Sequence, residues 1–253
     1  MPTVSLLFHD IFVSDPDESG FSGRGADRYK LSVAEFEAQL GAMGLSCRSG
    51  EGAKADARLT FDDGGVSFYT IAAPRLDACG LCAHCFVSTD FIGQSRFLTL
   101  QQIRELDARG HMIGTHSASH PARFSRLASV TQLCEWSDSR KLLEDILGHA
   151  VTTGSVPGGY FSKAVARTAA EAGLQLLFNS EPVISSRAIE GCDVAGRFTI
   201  RHGARPDYSQ KLVHPRPWAR SREWAAWNAK GLIKPLLGSS YPRVADWLYG
   251  GAR

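Results

Sequence analysis

Two adjacent carboxylates, Asp62 and Asp63, close the run LTFDDGG at 59–65, and glycines open the turn behind them. Neighbouring side chains on a strand point to opposite sides, so at a strand end the pair can serve two different tasks. Holding both near one site is costly unless a cation offsets their repulsion. Further along, GTHSASHP at 114–121 sets His116 and His120 four residues apart. If that stretch makes one helical turn, both imidazoles face the same way and can share a metal. Two histidines and one carboxylate with open positions suit hydrolytic Zn2+, and Co2+, Mn2+ or Ni2+ would also fit. Taken alone, HxxxH is more often a pair of solvated or satisfied core histidines. The DDG on a neighbouring strand end shifts that balance toward a metal.

A second stretch invites a metal reading. CGLCAHC at 79–85 gathers three of the six cysteines. Strand alternation would send Cys82, His84 and Phe86 to one side and Ala83, Cys85 and Val87 to the other. A regular strand therefore does not collect three thiolates around one ion, and free cysteine is often buried. These residues read as structural. His9, at the end of the first apolar run, reads equally as a site residue or a structural one.

Such residues need a scaffold that brings strand ends together. Short apolar runs at Val4 to Phe8, Arg58 to Phe61, Cys82 to Ser88, His111 to Thr115, Leu174 to Ser180 and Arg197 to Arg201 read as buried parallel strands. Between them, Ser32-Val-Ala-Glu35 and Thr99-Leu-Gln-Gln102 carry the capping-box pattern that opens a helix. Gly44, Gly80, Gly110 and Gly173 stand where helices would stop. Strand then helix, repeated, predicts an α/β fold with a mainly parallel sheet, open or closed into a barrel, with the chemistry at the strand ends. Residues 11–31 form a polar, glycine-bearing connection, either disordered or a lid over a site. The last fifty residues carry Trp218, Trp224, Trp227 and Trp247 among basic residues and prolines. They read as helices packed on the barrel or as a surface that approaches a membrane.

The chain of 253 residues is expected to hold one catalytic domain. Its formal charge, 28 − 26 = +2, is too small for affinity driven by counterion release, so no nucleic-acid partner is expected. The opening MPTVSLLFHD lacks a basic start and a long apolar core, and no stretch approaches a membrane span. The six cysteines are therefore expected as reduced thiols in a cytoplasmic protein, or one at the inner face of the membrane.

Residues 59–160 resemble the polysaccharide deacetylases, the NodB-homology amide hydrolases of the carbohydrate esterase family 4 type. TFDDG matches their first motif and HSASHP their second; LLFHDI looks like their first strand, GLCAHCFVSTDFIG like their Gly-x-x-Ala-Thr-Phe-Phe segment, and GHMIGTHSASH like their Gly-His-Glu-Ile-Gly-x-His run. The resemblance implies a distorted (β/α) barrel over 1–204, with 205–253 a Trp-rich helical extension packed on it. It makes Asp62 the catalytic base and Asp63, His116 and His120 the metal ligands. SVPGGY at 155–160 takes the place of the family's Arg-x-Pro-x-Gly motif. Pro157 keeps the turn, the Gly158 N–H becomes the oxyanion donor, and Tyr160 stands beside them. The motif's arginine, which contacts the base in the family, is here Ser155, which leaves room for another basic group to substitute. The family's general acid is a histidine of a Leu-x-His motif. His202, after RFTIR, is the first candidate, and His214, in Leu-Val-His, the second. The family's Asp-x-x-Asp-Trp motif has no counterpart.

The resemblance implies a metal-dependent N-deacetylase acting on N-acetylhexosamine units of an N-acetylated glycan, such as an exopolysaccharide or its lipid-linked precursor. The residues by themselves show metal-assisted amide hydrolysis. Two alternatives stand beside that reading. One is another amide hydrolase on this scaffold, an amino-sugar deformylase or small-molecule amidase; the other is a carbohydrate-binding protein that has lost turnover.

Overall fold

A computed structural model describes residues 3–45, 57–214 and 217–237, the last segment without the side chains of 217 and 230–237. In chain order the elements are β1 Val4–Phe8, β2 Ile11–Phe12, α1 Arg24–Asp27, β3 Leu31–Ser32, α2 Val33–Ala42, β4 Ala57–Phe61, α3 Ala73–Ala78, β5 His84–Val87, α4 Leu100–Ala108, β6 Met112–Thr115, α5 Ser129–Leu147, β7 Thr153–Ser155, α6 Lys163–Glu171, β8 Leu176–Phe178, β9 Ser186–Ile189, β10 Cys192–Ala195, β11 Phe198–Thr199, α7 Tyr208–Val213 and α8 Pro217–Leu237. Both capping boxes form. Ser32 and Thr99 each accept from the backbone N–H three residues on, and Glu35 and Gln102 reach back to them, which fixes where α2 and α4 begin.

Nine strands make one curled sheet in the order β11-β1-β4-β5-β6-β7-β8-β10-β9. The pairings are parallel except that of β9 with β10. The result is a distorted (β/α) barrel. Alternation along each strand splits its residues between two environments. Leu6, Phe8, Leu59, Phe61, Ala83, Cys85 and Val87 face the helices and build the main core with Phe36, Leu76, Ile103 and Leu106. Burial of each large side chain there contributes roughly 1.5–3 kcal/mol. The inner face is smaller and partly polar: Phe86 and Phe178 pack there, and Thr60, Asp62, His84 and Ser155 are buried with them.

The connection expected to be disordered or a lid is an ordered wall of the barrel mouth. It contains α1 and pairs β2 with β3. Asp10 anchors it, accepting from Ser19 Oγ at 2.6 Å and Ser67 Oγ at 2.8 Å. Burial pushes the Asp10 carboxyl up to about 6. Lys30, itself buried, donates to the Ser19 carbonyl at 2.8 Å.

α7 docks on α2, with Ser209 Oγ 2.7 Å from Gln39 Oε1. The start of α8 is tied to α7 by Arg220, which donates to the carbonyls of Leu212 and Val213. Trp247 lies outside the described residues. The expectation of six reduced thiols is corrected: Cys79 is disulfide-bonded, whereas Cys82, Cys85, Cys134 and Cys192 are free.

Candidate metal centre and its carboxylate pair

β4 delivers Asp62 and Asp63 to the mouth of the barrel. The Asp62 N–H donates to Phe8 O at 3.1 Å, so the β1–β4 pairing runs up to the first of the two carboxylates. Strand alternation alone would send the next side chain away. Asp63 instead takes φ 77, in the left-handed region that costs a non-glycine residue about 1 kcal/mol or more, and turns back toward the same site. The chain here passes tight against β5: a Cβ on Gly64, which has φ 79, would lie 3.1 Å from Val87 Cγ1.

His116 follows β6 directly, and its Nδ1 lies 2.8 Å from Ser155 O. With Nδ1 set on that carbonyl, Nε2 is the ring nitrogen that faces Asp63. His120 arrives differently from the expected helical turn. Ser117 and His120 have φ 64 and 52, and the His120 N–H donates to Ser117 Oγ, so an irregular loop aims the second imidazole. The Phe21 ring lies 4.7 Å from that of His120 and packs on Phe91 and Phe97.

Asp63 Oδ1 stands 3.4 Å from His116 Nε2 and 3.3 Å from His120 Nε2. Donor atoms about 2.0–2.1 Å from a tetrahedral zinc ion are about 3.3 Å apart, so the set fits a divalent metal. Among the described residues these three are the group of side chains able to hold one. Burial would raise the Asp63 carboxyl, but hydrogen bonds from His116 and His120 hold it well below the ordinary range. Asp63 is thus ionised, the form in which a carboxylate can hold a metal.

Asp62 lies beside this set without joining it, its Oδ2 3.9 Å from His116 Nε2. Burial would raise its carboxyl, yet Arg197 and His116 hold it below the usual value. Arg197 is fully buried. Its Nη1 donates to Asp62 Oδ1 at 2.7 Å and its Nη2 to Asp62 Oδ2 at 2.8 Å. Ser155 Oγ, accepting from the same Nη2 at 2.7 Å, donates to Asp62 Oδ2 at 3.0 Å. Sequence reasoning missed Arg197. The departure at Ser155 signalled that a basic partner was needed, but nothing in the run from 197 to 201 singled out its first residue.

A sequence model of the polysaccharide deacetylases matches residues 49–177. The chain belongs to the polysaccharide deacetylase family. The Bacillus subtilis protein YxkH, which carries a polysaccharide deacetylase name, is 31% identical over 129 residues, 51% of this chain and 46% of that protein. The chain thus matches about half the length of that curated relative. Streptococcus pyogenes deacetylase PplD, solved with acetate, superposes with a TM-score of 0.67 at 22% identity, over 85% of this chain and 99% of that one. A de-N-acetylase from Aggregatibacter actinomycetemcomitans gives 0.64 at 15% identity, over 87% and 99%. At these identities the likeness shows the polysaccharide deacetylase fold.

The remaining expected site residues fall as follows. Pro157 and Gly159 are buried in the turn after β7, and Gly158, with φ 65, is exposed at its tip next to Tyr160. His202 turns its Nδ1 to Glu35 Oε2 at 3.1 Å and is 56% exposed in its side chain. His214 ends α7 on the surface. Among the described residues neither histidine contacts Asp62 or Asp63. The imidazole that does face the carboxylate pair is His9, at the end of β1. Its Nδ1 is buried without a hydrogen-bond partner, its ring lies 4.9 Å from Tyr29, and burial lowers its pKa against the opposing pull of Asp63 and Asp62.

Proposed function

We propose that this deacetylase is a divalent-metal-dependent N-deacetylase that hydrolyses the acetamido group of N-acetylhexosamine units in a glycan, with zinc the metal that best suits its donors. The observation that carries the reading is the pairing of a three-donor set, its two carboxylate–imidazole distances suited to a tetrahedral ion, with a second ionised carboxylate that stays out of it. A bound ion would supply a Lewis acid for the acyl oxygen and acidify water. Asp62 then accepts the proton of the attacking water. The Gly158 N–H, on an exposed turn, meets the developing oxyanion. The departing nitrogen takes up the proton that Asp62 accepted, so amine and acetate leave together, and His9, which burial keeps neutral, lines the site.

The substrate is taken as an exopolysaccharide or its lipid-linked precursor at a membrane surface. The basic, tryptophan-bearing α8 supports that setting, and disulfide-bonded Cys79 points to an oxidising compartment in place of the cytoplasm expected from six reduced thiols. Acetate release from chitooligosaccharides and other N-acetylated glycans tests the reaction. Activity should vanish with a chelator and return with zinc. Formate release from N-formyl sugars in place of acetate would support the deformylase reading, and glycan binding without turnover in any metal would overturn catalysis altogether.

A further inference from the structure

The structure assigns to Arg197, which directly precedes β11, the task of positioning Asp62. We infer that this fork replaces, for this chain, a basic side chain from position 155, and the inference rests on the deacetylase reading above.

The geometry argues for positioning rather than for contact with substrate. A guanidinium has five N–H donors. In Arg197 all are committed: Nε to Asn179 O at 3.0 Å, Nη1 to Asp62 Oδ1 and to Thr60 Oγ1 at 3.2 Å, Nη2 to Asp62 Oδ2 and to Ser155 Oγ. None is left for an oxyanion or a sugar. The planes of Phe86 and Phe178 flank the group, with ring centroids 5.8 and 5.7 Å from its central carbon. Arg197 is therefore fixed on every side, and it can influence the reaction through Asp62.

What it does there follows from counting acceptors. A carboxylate offers about four lone-pair sites. The two Arg197 nitrogens and Ser155 Oγ occupy three of them, one on Oδ1 and two on Oδ2. The fork pins the plane of the carboxylate, and the remaining acceptor site is on Oδ1. A base held this way presents one lone pair in one direction, which is what proton transfer from a positioned water requires. Ser155 is small enough to leave the guanidinium room and polar enough to bridge it to Asp62. Its side chain donates to Asp62 from β7, so a long basic residue at 155 would start beside the same carboxylate.

Three variants test this. Arg197→Met should lower kcat by on the order of 10²-fold, the scale of a misplaced catalytic group, with KM and zinc affinity within about twofold. Arg197→Lys, which keeps the charge but not the fork, should also lose most of kcat. Ser155→Arg combined with Arg197→Met should recover at least tenfold over Arg197→Met. A folded, zinc-loaded Arg197→Met with kcat within threefold of wild type would overturn the proposal. So would a fully active Arg197→Lys. If Arg197→Met does not fold, the lysine variant carries the decision. If the wild-type protein releases no acetate from any substrate, the deacetylase reading fails separately. Positioning is then read in a crystal structure of Arg197→Lys, where an Asp62 carboxylate still in its original plane would overturn it.

Discussion

His116 and His120 reach the same carboxylate oxygen by unlike means, and the difference predicts unlike sensitivities. The His116 ring is oriented by a hydrogen bond from Nδ1 to Ser155 O. For His120, no hydrogen bond to the second ring nitrogen is present among the described residues, and the ring of Phe21 supplies the orientation, backed by Phe91 and Phe97. Groups that orient metal ligands typically govern affinity by 10–100-fold. Phe21→Ala is therefore expected to weaken zinc binding about tenfold in a chelator competition, with an unchanged circular dichroism spectrum, while Phe21→Tyr keeps the affinity. A zinc Kd within twofold of wild type in Phe21→Ala would show that His120 needs no such wall. The candidate metal set was legible at this scale because three residues of two ligand types at fixed places in the chain leave few alternatives. Phe21 and Arg197 were not, since a ring or a guanidinium far off in sequence carries no spacing signal until the fold closes.

Elements were readable where burial is one-sided or complete. β1 has the bounds its apolar run predicts, and β4 and β6 differ by a residue, because their outer faces form the main core. β7 is Thr-Gly-Ser, whose inner face carries a polar side chain to Asp62, and it offers no apolar run to read. β9 is largely exposed and pairs antiparallel with β10 through a turn in which Glu190 and Gly191 both take positive φ, so neither strand of that hairpin showed the pattern of a buried parallel strand. The CGLCAHC stretch straddles such a boundary. Cys82 is exposed before β5, while Cys85 sits within it at 1% exposure, where burial pushes its thiol far up. Alkylation of the folded protein followed by peptide mass spectrometry should label Cys82 and Cys134 and leave Cys85 and Cys192 protected. Rapid labelling of Cys85 at neutral pH would mean that β5 does not hold the register described.

At the scale of the molecule the barrel presents its chemistry at one mouth and α8 as a separate surface. α8 runs 21 residues, and Trp218 and Trp224 on it are 59% and 50% exposed, with Arg222 beside them in solvent. Among the described residues, no helix is long and apolar enough to cross a membrane. Exposed tryptophans interleaved with cations fit an interfacial contact, in which the rings enter the headgroup layer and the arginine meets lipid phosphate. Such binding combines apolar burial with attraction to anionic lipid, and the second part is screened by salt. The protein should accordingly co-sediment with phosphatidylglycerol vesicles at low ionic strength, less with phosphatidylcholine vesicles, and less again as salt rises. Trp218→Ser with Trp224→Ser should abolish sedimentation while leaving acetate release from a soluble oligosaccharide unchanged, because neither ring contacts the metal set. Equal recovery with and without vesicles at low salt would remove the membrane from the proposed setting and leave α8 as a surface helix packed on α7, with the reaction at the barrel mouth unaffected.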